Sequence, residues 1–183
     1  ALAKLEQRWA FALEATGTGV WEHDVRLGTF YQSPAWKAIL GFGPDELEAS
    51  AAGWADRLHP EDRAGVEAAY AALLRGEAPV YERTYRLRAR DGGWRWVLAR
   101  GRGIEFGEDG QPLRISGTLT DLTARLEAEE ALAHSEQRFR LLVESIHEVF
   151  WMTDIEKNQM LYISPGYERI WGASCESLYA KPE

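Results

Sequence analysis

Four histidines, one cysteine and a dense set of aromatic residues are the side chains of this 183-residue sequence best suited to chemistry. His59 stands directly before Pro60 at the start of a helical pattern, where an imidazole serves as a helix cap, and His23 lies beside Asp24 in a strand-like stretch. Cys175 is alone, so it forms neither an intrachain disulfide nor a cysteine-based zinc site. No glycine-rich phosphate loop stands in a strand-turn-helix context. No catalytic residue and no metal site is therefore assigned, and the chain reads as non-enzymatic. The aromatics are more informative. Trp21, Tyr31, Trp36, Trp54, Tyr70, Tyr85, Trp94 and Trp96 fall within about 120 residues, enough to fill a core outright or to line a pocket for a planar ligand. The candidate pocket set is Trp21, Tyr31, Trp36, Ile39, Leu40, Trp54, Tyr70, Tyr85 and Trp96.

Those side chains need elements to hold them. Leu2, Leu5, Trp9 and Ala12 have helical spacing and predict an amphipathic helix over residues 1–16, ended by Gly17 and Gly19. Val20–Val25 and Thr29–Gln32 read as a hairpin turned at Gly28. Ser33-Pro34 starts a helix with Trp36, Ile39 and Leu40 on its apolar face, because serine caps and proline is tolerated at the first position. Pro44–Leu47 suggests one more short turn of helix. A longer helix begins at Pro60, with Glu61 and Asp62 at its positive end and Val66, Tyr70, Leu73 and Leu74 as its buried stripe. Strands follow at about Val80–Arg90, Trp94–Phe106 and Pro112–Leu122, separated by Asp91-Gly92-Gly93 and Glu108-Asp109-Gly110. Five antiparallel strands with helices between the second and third make an α+β domain.

The chain also repeats itself. Glu6, Gln7, Arg8, Glu14, Trp21 and Asp24 recur 130 positions later, and Tyr31, Ser33, Pro34, Ile39, Gly41 and Leu47 recur 131 positions later. The inserted residue falls near Asn158, where a turn tolerates a change of length. The second copy reaches only the equivalent of position 52, so it is expected to be the truncated start of a second domain with its apolar faces poorly covered. Between the copies, residues 124–133 are almost entirely strong helix formers. Leu132, Phe139, Leu142 and Ile146 follow coiled-coil spacing and are candidates for a dimer seam. The expected layout is 1–16 helix, 17–123 complete domain, 124–147 linker helix and 148–183 partial second domain.

A net charge of −8 argues against nonspecific nucleic-acid binding, although residues 75–114 carry nine Lys/Arg against six Asp/Glu. No apolar run approaches the roughly 18 residues needed to cross a bilayer. With one cysteine and no signal peptide, a soluble, cytoplasmic fragment without membrane or nucleic-acid contacts is expected.

Trp54…Leu58-His59-Pro60-Glu61-Asp62-Arg63, Asp91-Gly92-Gly93-Trp94-Arg95-Trp96-Val97 and Gly117-Thr118-Leu119-Thr120-Asp121-Leu122-Thr123, in that order after the hairpin and the Ser33-Pro34 helix, resemble a PAS domain with its PAC motif. The resemblance covers residues 5–123 fully and 135–180 in part. It implies tandem PAS sensory domains, each a five-stranded antiparallel sheet with helices on one face and a pocket between. It also implies that Asp121-Leu122-Thr123, with leucine for the commoner isoleucine, links the sheet to an output helix. Asp121 would cap that helix. The chain would then sense a ligand, redox state or partner for an output domain in the same polypeptide, a histidine kinase or a diguanylate cyclase, as a homodimer through its N-terminal or linker helices. The alternative is a ligand-free dimerisation or interaction scaffold. No cofactor is required. A small organic ligand or a flavin is compatible, whereas haem lacks an inward axial ligand and a flavin–cysteine adduct lacks its cysteine. His134-Ser135-Glu136-Gln137-Arg138 is only a partial match to a histidine-kinase phosphoacceptor box, because the following proline is absent.

Overall fold

In the computed structural model, residues 16–145, 149–157 and 159–180 are described. The helix expected over residues 1–16 lies, apart from Thr16, outside the described residues, as does Ile146. The chain divides into two units, Ala1–Leu126 and Glu127–Glu183.

In the first unit β1 (Gly19–Asp24) and β2 (Thr29–Gln32) form the expected hairpin, followed by α1 (Pro34–Ile39), α2 (Ala51–Ala55), α3 (Pro60–Leu74), β3 (Tyr81–Arg88), β4 (Trp94–Phe106) and β5 (Pro112–Asp121). The sheet order is β2-β1-β5-β4-β3, every neighbouring pair antiparallel. The first and last strands of the domain therefore lie side by side at its centre, with Trp21 opposite Gly117. Local chemistry sets the helix starts. Ser33 Oγ accepts the Trp36 backbone N–H at 3.2 Å and also that of Val20 at 2.9 Å, fixing α1 against β1. His59 Nδ1 accepts the Glu61 N–H at 3.2 Å, so this histidine is the cap of α3.

Two boundaries differ from expectation for local reasons. Residues 44–47 form a turn instead of a helix, because the Glu46 carboxylate accepts the Gly43 N–H at 2.7 Å and pairs with Arg90 at 2.7 Å. Strand β3 stops at Arg88, where the turn begins to close and the Ala89 N–H turns to the Gly93 carbonyl. Strand alternation sends Val97, Ala99, Ile115 and Leu119 to the helix side, where they meet Trp36, Leu40, Leu58, Val66 and Leu73. Leu40, Leu87, Val97 and Ile115 are fully buried.

Helix α4 (Thr123–Ser145) leads the chain onward, followed by β6 (Trp151–Asp154), β7 (Gln159–Ile163), α5 (Gly166–Trp171) and α6 (Cys175–Ala180). The repeated residues make the same local bonds in both copies. Ser164 Oγ accepts the Phe150 N–H at 3.0 Å, as Ser33 does from Val20, and the Asp154 carboxylate closes the β6–β7 turn as Asp24 closes β1–β2. Gly172 (φ 69°) ends α5 as Gly41 (φ 78°) follows α1, positions where a left-handed backbone favours glycine. Burial differs. Trp151 is 66% exposed whereas its counterpart Trp21 packs into the first core, and among the described residues β6 pairs with β7 only.

Candidate functional site

Between the sheet and the helices of the first unit lies a cavity of about 40 Å³. Every strand of the sheet and every helix packed on it contributes to the lining: Trp21, Phe30, Gln32, Trp36, Trp54, Tyr70, Tyr81, Tyr85, Ala99 and Leu119. The rings meet mostly edge to face, Trp21 against Tyr81 at 85° and Tyr70 against Tyr81 at 83°, which suits their quadrupoles. Trp21 fits only because its neighbours are glycines. A Cβ at Gly117 would sit 2.4 Å from the Trp21 indole, and one at Gly101 2.5 Å from it. Gly19 gives Trp36 the same clearance on the adjoining turn.

The polar groups of the lining are mostly committed. Trp21 Nε1 donates to the Thr118 carbonyl of β5 at 3.2 Å, Trp54 Nε1 donates to the Tyr85 hydroxyl at 3.2 Å, and the Tyr70 hydroxyl lies 2.7 Å from His23 Nδ1. One is not: Gln32 Oε1 is buried without a hydrogen-bond partner among the described residues, while the Tyr81 hydroxyl is directed to that of Tyr85. Among the described residues no Asp, Glu, Lys or Arg lines the cavity. Burial pushes the Tyr85 phenol up to about 12 and those of Tyr70 and Tyr81 higher still, so all three are neutral. Burial also lowers the His23 pKa, opposed in part by Asp24, and the ring stacks on Phe30 at 4.0 Å.

Of the nine pocket residues expected from the sequence, Trp21, Trp36, Trp54, Tyr70 and Tyr85 line the cavity. Ile39 and Leu40 belong to the core beside it. Tyr31 and Trp96 are corrections. In β2, Phe30 and Gln32 face the cavity, so alternation turns Tyr31 outward, where it is 53% exposed. In β4, Val97 and Ala99 face inward, which places Trp96 on the opposite side of the sheet beneath the Arg86 guanidinium at 5.0 Å. Phe30, Gln32, Tyr81, Ala99 and Leu119 were missed; strand parity is the signal for Tyr81, Ala99 and Leu119, whereas β2 carries an aromatic on each face and offers no such signal for Phe30 and Gln32.

Trp96 has a different place. Its carbonyl accepts the Leu122 N–H at 2.8 Å and its own N–H donates to Thr123 Oγ1 at 3.0 Å. Asp121 Oδ1 accepts the Thr123 N–H at 2.8 Å, so Asp121 caps α4 from the last residue of β5. The strand-to-helix junction is thus clamped to β4 by the backbone of Trp96 and closed by Asp121.

Leu132, Phe139 and Leu142 are each more than half exposed on α4, with Phe139 also in edge contact with Tyr162 at 5.9 Å. His134 is exposed on the same helix. Burial and the Glu168 carboxylate raise the Cys175 thiol pKa, the reverse of an activated nucleophile. Among the described residues no His/Cys/Asp/Glu group could hold a metal ion, and no helix is long and apolar enough to cross a membrane. A flavin or a haem does not fit the cavity, since sites for such groups measure roughly 300 Å³ or more.

Comparison with known proteins places this geometry. The model of the PAS fold matches residues 29–119. A sensory box histidine kinase/response regulator from Burkholderia thailandensis is 34% identical, with a TM-score of 0.61 over 73% of this chain and 98% of that structure. Sensor protein FixL of Bradyrhizobium diazoefficiens is 28% identical over 88% of this chain and 31% of its own length. The probable diguanylate cyclase DgcE of Escherichia coli is 24% identical over 98% of this chain and 16% of its own. The chain spans less than a third of the length of each curated relative it matches. The five-stranded sheet, its helix-covered aromatic cavity and the match over residues 29–119 agree: this chain belongs to the PAS family of sensory signal-transduction modules.

Proposed function

We propose that the cavity is the input of this sensory module and that β5 carries its state to α4 and onward to an output domain of the same polypeptide, a histidine kinase or a diguanylate cyclase. The observation that carries the reading is the continuity of β5. Trp21 of the cavity wall donates to the Thr118 carbonyl, and three residues later Asp121-Leu122-Thr123 ties the same strand to the first turn of α4. A change in how Trp21 sits therefore acts on the strand that positions the helix. The module itself is regulatory and carries no catalysis, works in the cytoplasm, and pairs with a second copy through the apolar face of α4 at Leu132, Phe139 and Leu142. The outputs are taken from the named activities of the Burkholderia and Escherichia relatives.

The test is Asp121→Ala in the full-length protein. Output activity should change by about fivefold or more, the scale of a typical coupling free energy, while the melting temperature of the module falls by only a few degrees. Parallel loss of fold and output would leave Asp121 a plain cap. A second reading, a ligand-free dimerisation scaffold, is favoured by the small size of the cavity. It requires that output follow dimerisation alone and be insensitive to substitutions of the lining.

A further inference from the structure

We propose that the cavity takes an uncharged molecule of about three or four non-hydrogen atoms that carries a hydrogen-bond donor, the chemistry of a short alcohol or a primary amide. The assignment rests on reading the cavity as the sensory input and names what it accepts. Size comes first: about 40 Å³ holds roughly three water-sized groups, whereas an apolar cavity near 150 Å³ is needed for benzene. Charge comes next. Among the described residues no ionisable carboxylate, ammonium or guanidinium group lines the site, and all three phenols stay neutral, so an anion or a cation would enter without a counter-ion and lose its hydration. Aromatic faces do not supply the missing counter-charge for a cation. The Trp21, Tyr70 and Tyr81 rings meet edge to face at interplanar angles of 63°, 85° and 83°, and a cation–π contact, even when desolvated, falls short of the cost of stripping a bare cation of water.

Polarity completes the assignment. Gln32 is 8% exposed and lines the cavity, and its Oε1 has no hydrogen-bond partner among the described residues, whereas the Tyr81 hydroxyl is directed to that of Tyr85. An amide oxygen only accepts, so the ligand brings an N–H or O–H to Gln32. A buried polar group left without a partner is costly, and in a dry aromatic shell that cost becomes selectivity for a ligand that satisfies it.

The experiment titrates the whole chain with four probes of about three or four non-hydrogen atoms, ethanol, formamide, acetate and ethylammonium, reading the indole N–H resonances of Trp21 and Trp54. Ethanol and formamide should give saturable shifts, acetate and ethylammonium none. Gln32→Leu, which keeps the size of the side chain and removes the open polar atom, should weaken the neutral probes by about tenfold or more. Ala99→Val, which keeps that atom and fills space, should abolish binding. Its native-like spectrum serves as the check should a polar variant fail to fold. Equal saturation by a charged probe, no saturation by either neutral probe, or unchanged binding in the Gln32 and Ala99 variants would each overturn the assignment. A change in output of the full-length Asp121→Ala protein would stand regardless, so the ligand class can fail while the sensory reading survives.

Discussion

At the scale of single residues, Trp21 organises the site because three neighbours gave up their side chains for it and its partner Trp36. At Gly117 the obstruction is backbone as well as indole: a Cβ would lie 2.2 Å from the Arg100 carbonyl. Gly117→Ala should therefore destabilise the first unit by about 3 kcal/mol in denaturant melts, the upper range for overpacking. Gly28→Ala, at a turn where a Cβ meets nothing within 4 Å and only the φ of +64° resists, should cost no more than about 1–2 kcal/mol. His23 predicts a pH dependence. Its folded pKa lies below its ordinary value of about 6.5, so the unfolded chain binds the proton more readily. The stability it contributes is present above about pH 6.5 and is lost as the pH falls through that value toward the folded pKa. His23→Gln should flatten this part of the stability profile in melts between about pH 5 and 7. The aromatic character of the site was legible from composition, but the open Gln32 carbonyl was not, since a glutamine at a strand end carries no signal of burial.

At the scale of elements, each strand's parity decided which aromatics faced the cavity. Thr29-Phe30-Tyr31-Gln32 puts an aromatic on both faces of β2, so the sequence alone leaves its inward side undetermined. Trp94 and Trp96 share a face of β4, yet the smaller Val97, Ala99 and Gly101 face inward because Trp21 and the helices already fill that side. Helix starts were easier to read, since Ser33-Pro34 and His59-Pro60 announce their capping chemistry locally. The seat of α3 on β3 is a bidentate ion pair. Arg86 Nε and Nη2 donate to the Asp62 carboxylate at 2.9 and 2.8 Å, and the Arg86 backbone N–H donates to it at 2.9 Å. The hydrogen bonds from Arg86 hold the Asp62 carboxyl below the usual carboxylate range. The stability from this pair is thus present above about pH 4 and lost as the pH falls below it. Asp62→Asn should lower the melting temperature at about pH 7, and the difference from the parent should shrink as the pH falls below about 4, measured by circular dichroism.

At the scale of the whole chain, the repeat was readable because the residues that recur are those with obligatory local roles: the Ser33 and Ser164 hydroxyls, the Asp24 and Asp154 turn carboxylates, the Gly41 and Gly172 positions. What the sequence did not show was that the last strand of the first copy would lie against its first strand and bind the cavity wall through one indole. That placement connects a buried aromatic site to a helix leading out of the domain. Thr123 is the most selective place to interrupt the connection, because its hydroxyl accepts the Trp96 N–H while its backbone starts the helix. The direct measurement is the proposed output activity, autophosphorylation or cyclic-dinucleotide synthesis, of the full-length protein carrying Thr123→Val, alongside the melting temperature of the module. A change in output of about fivefold or more with the melting temperature within a few degrees of the parent is the predicted result. Unchanged output, with or without a drop in melting temperature, would contradict transmission through β5.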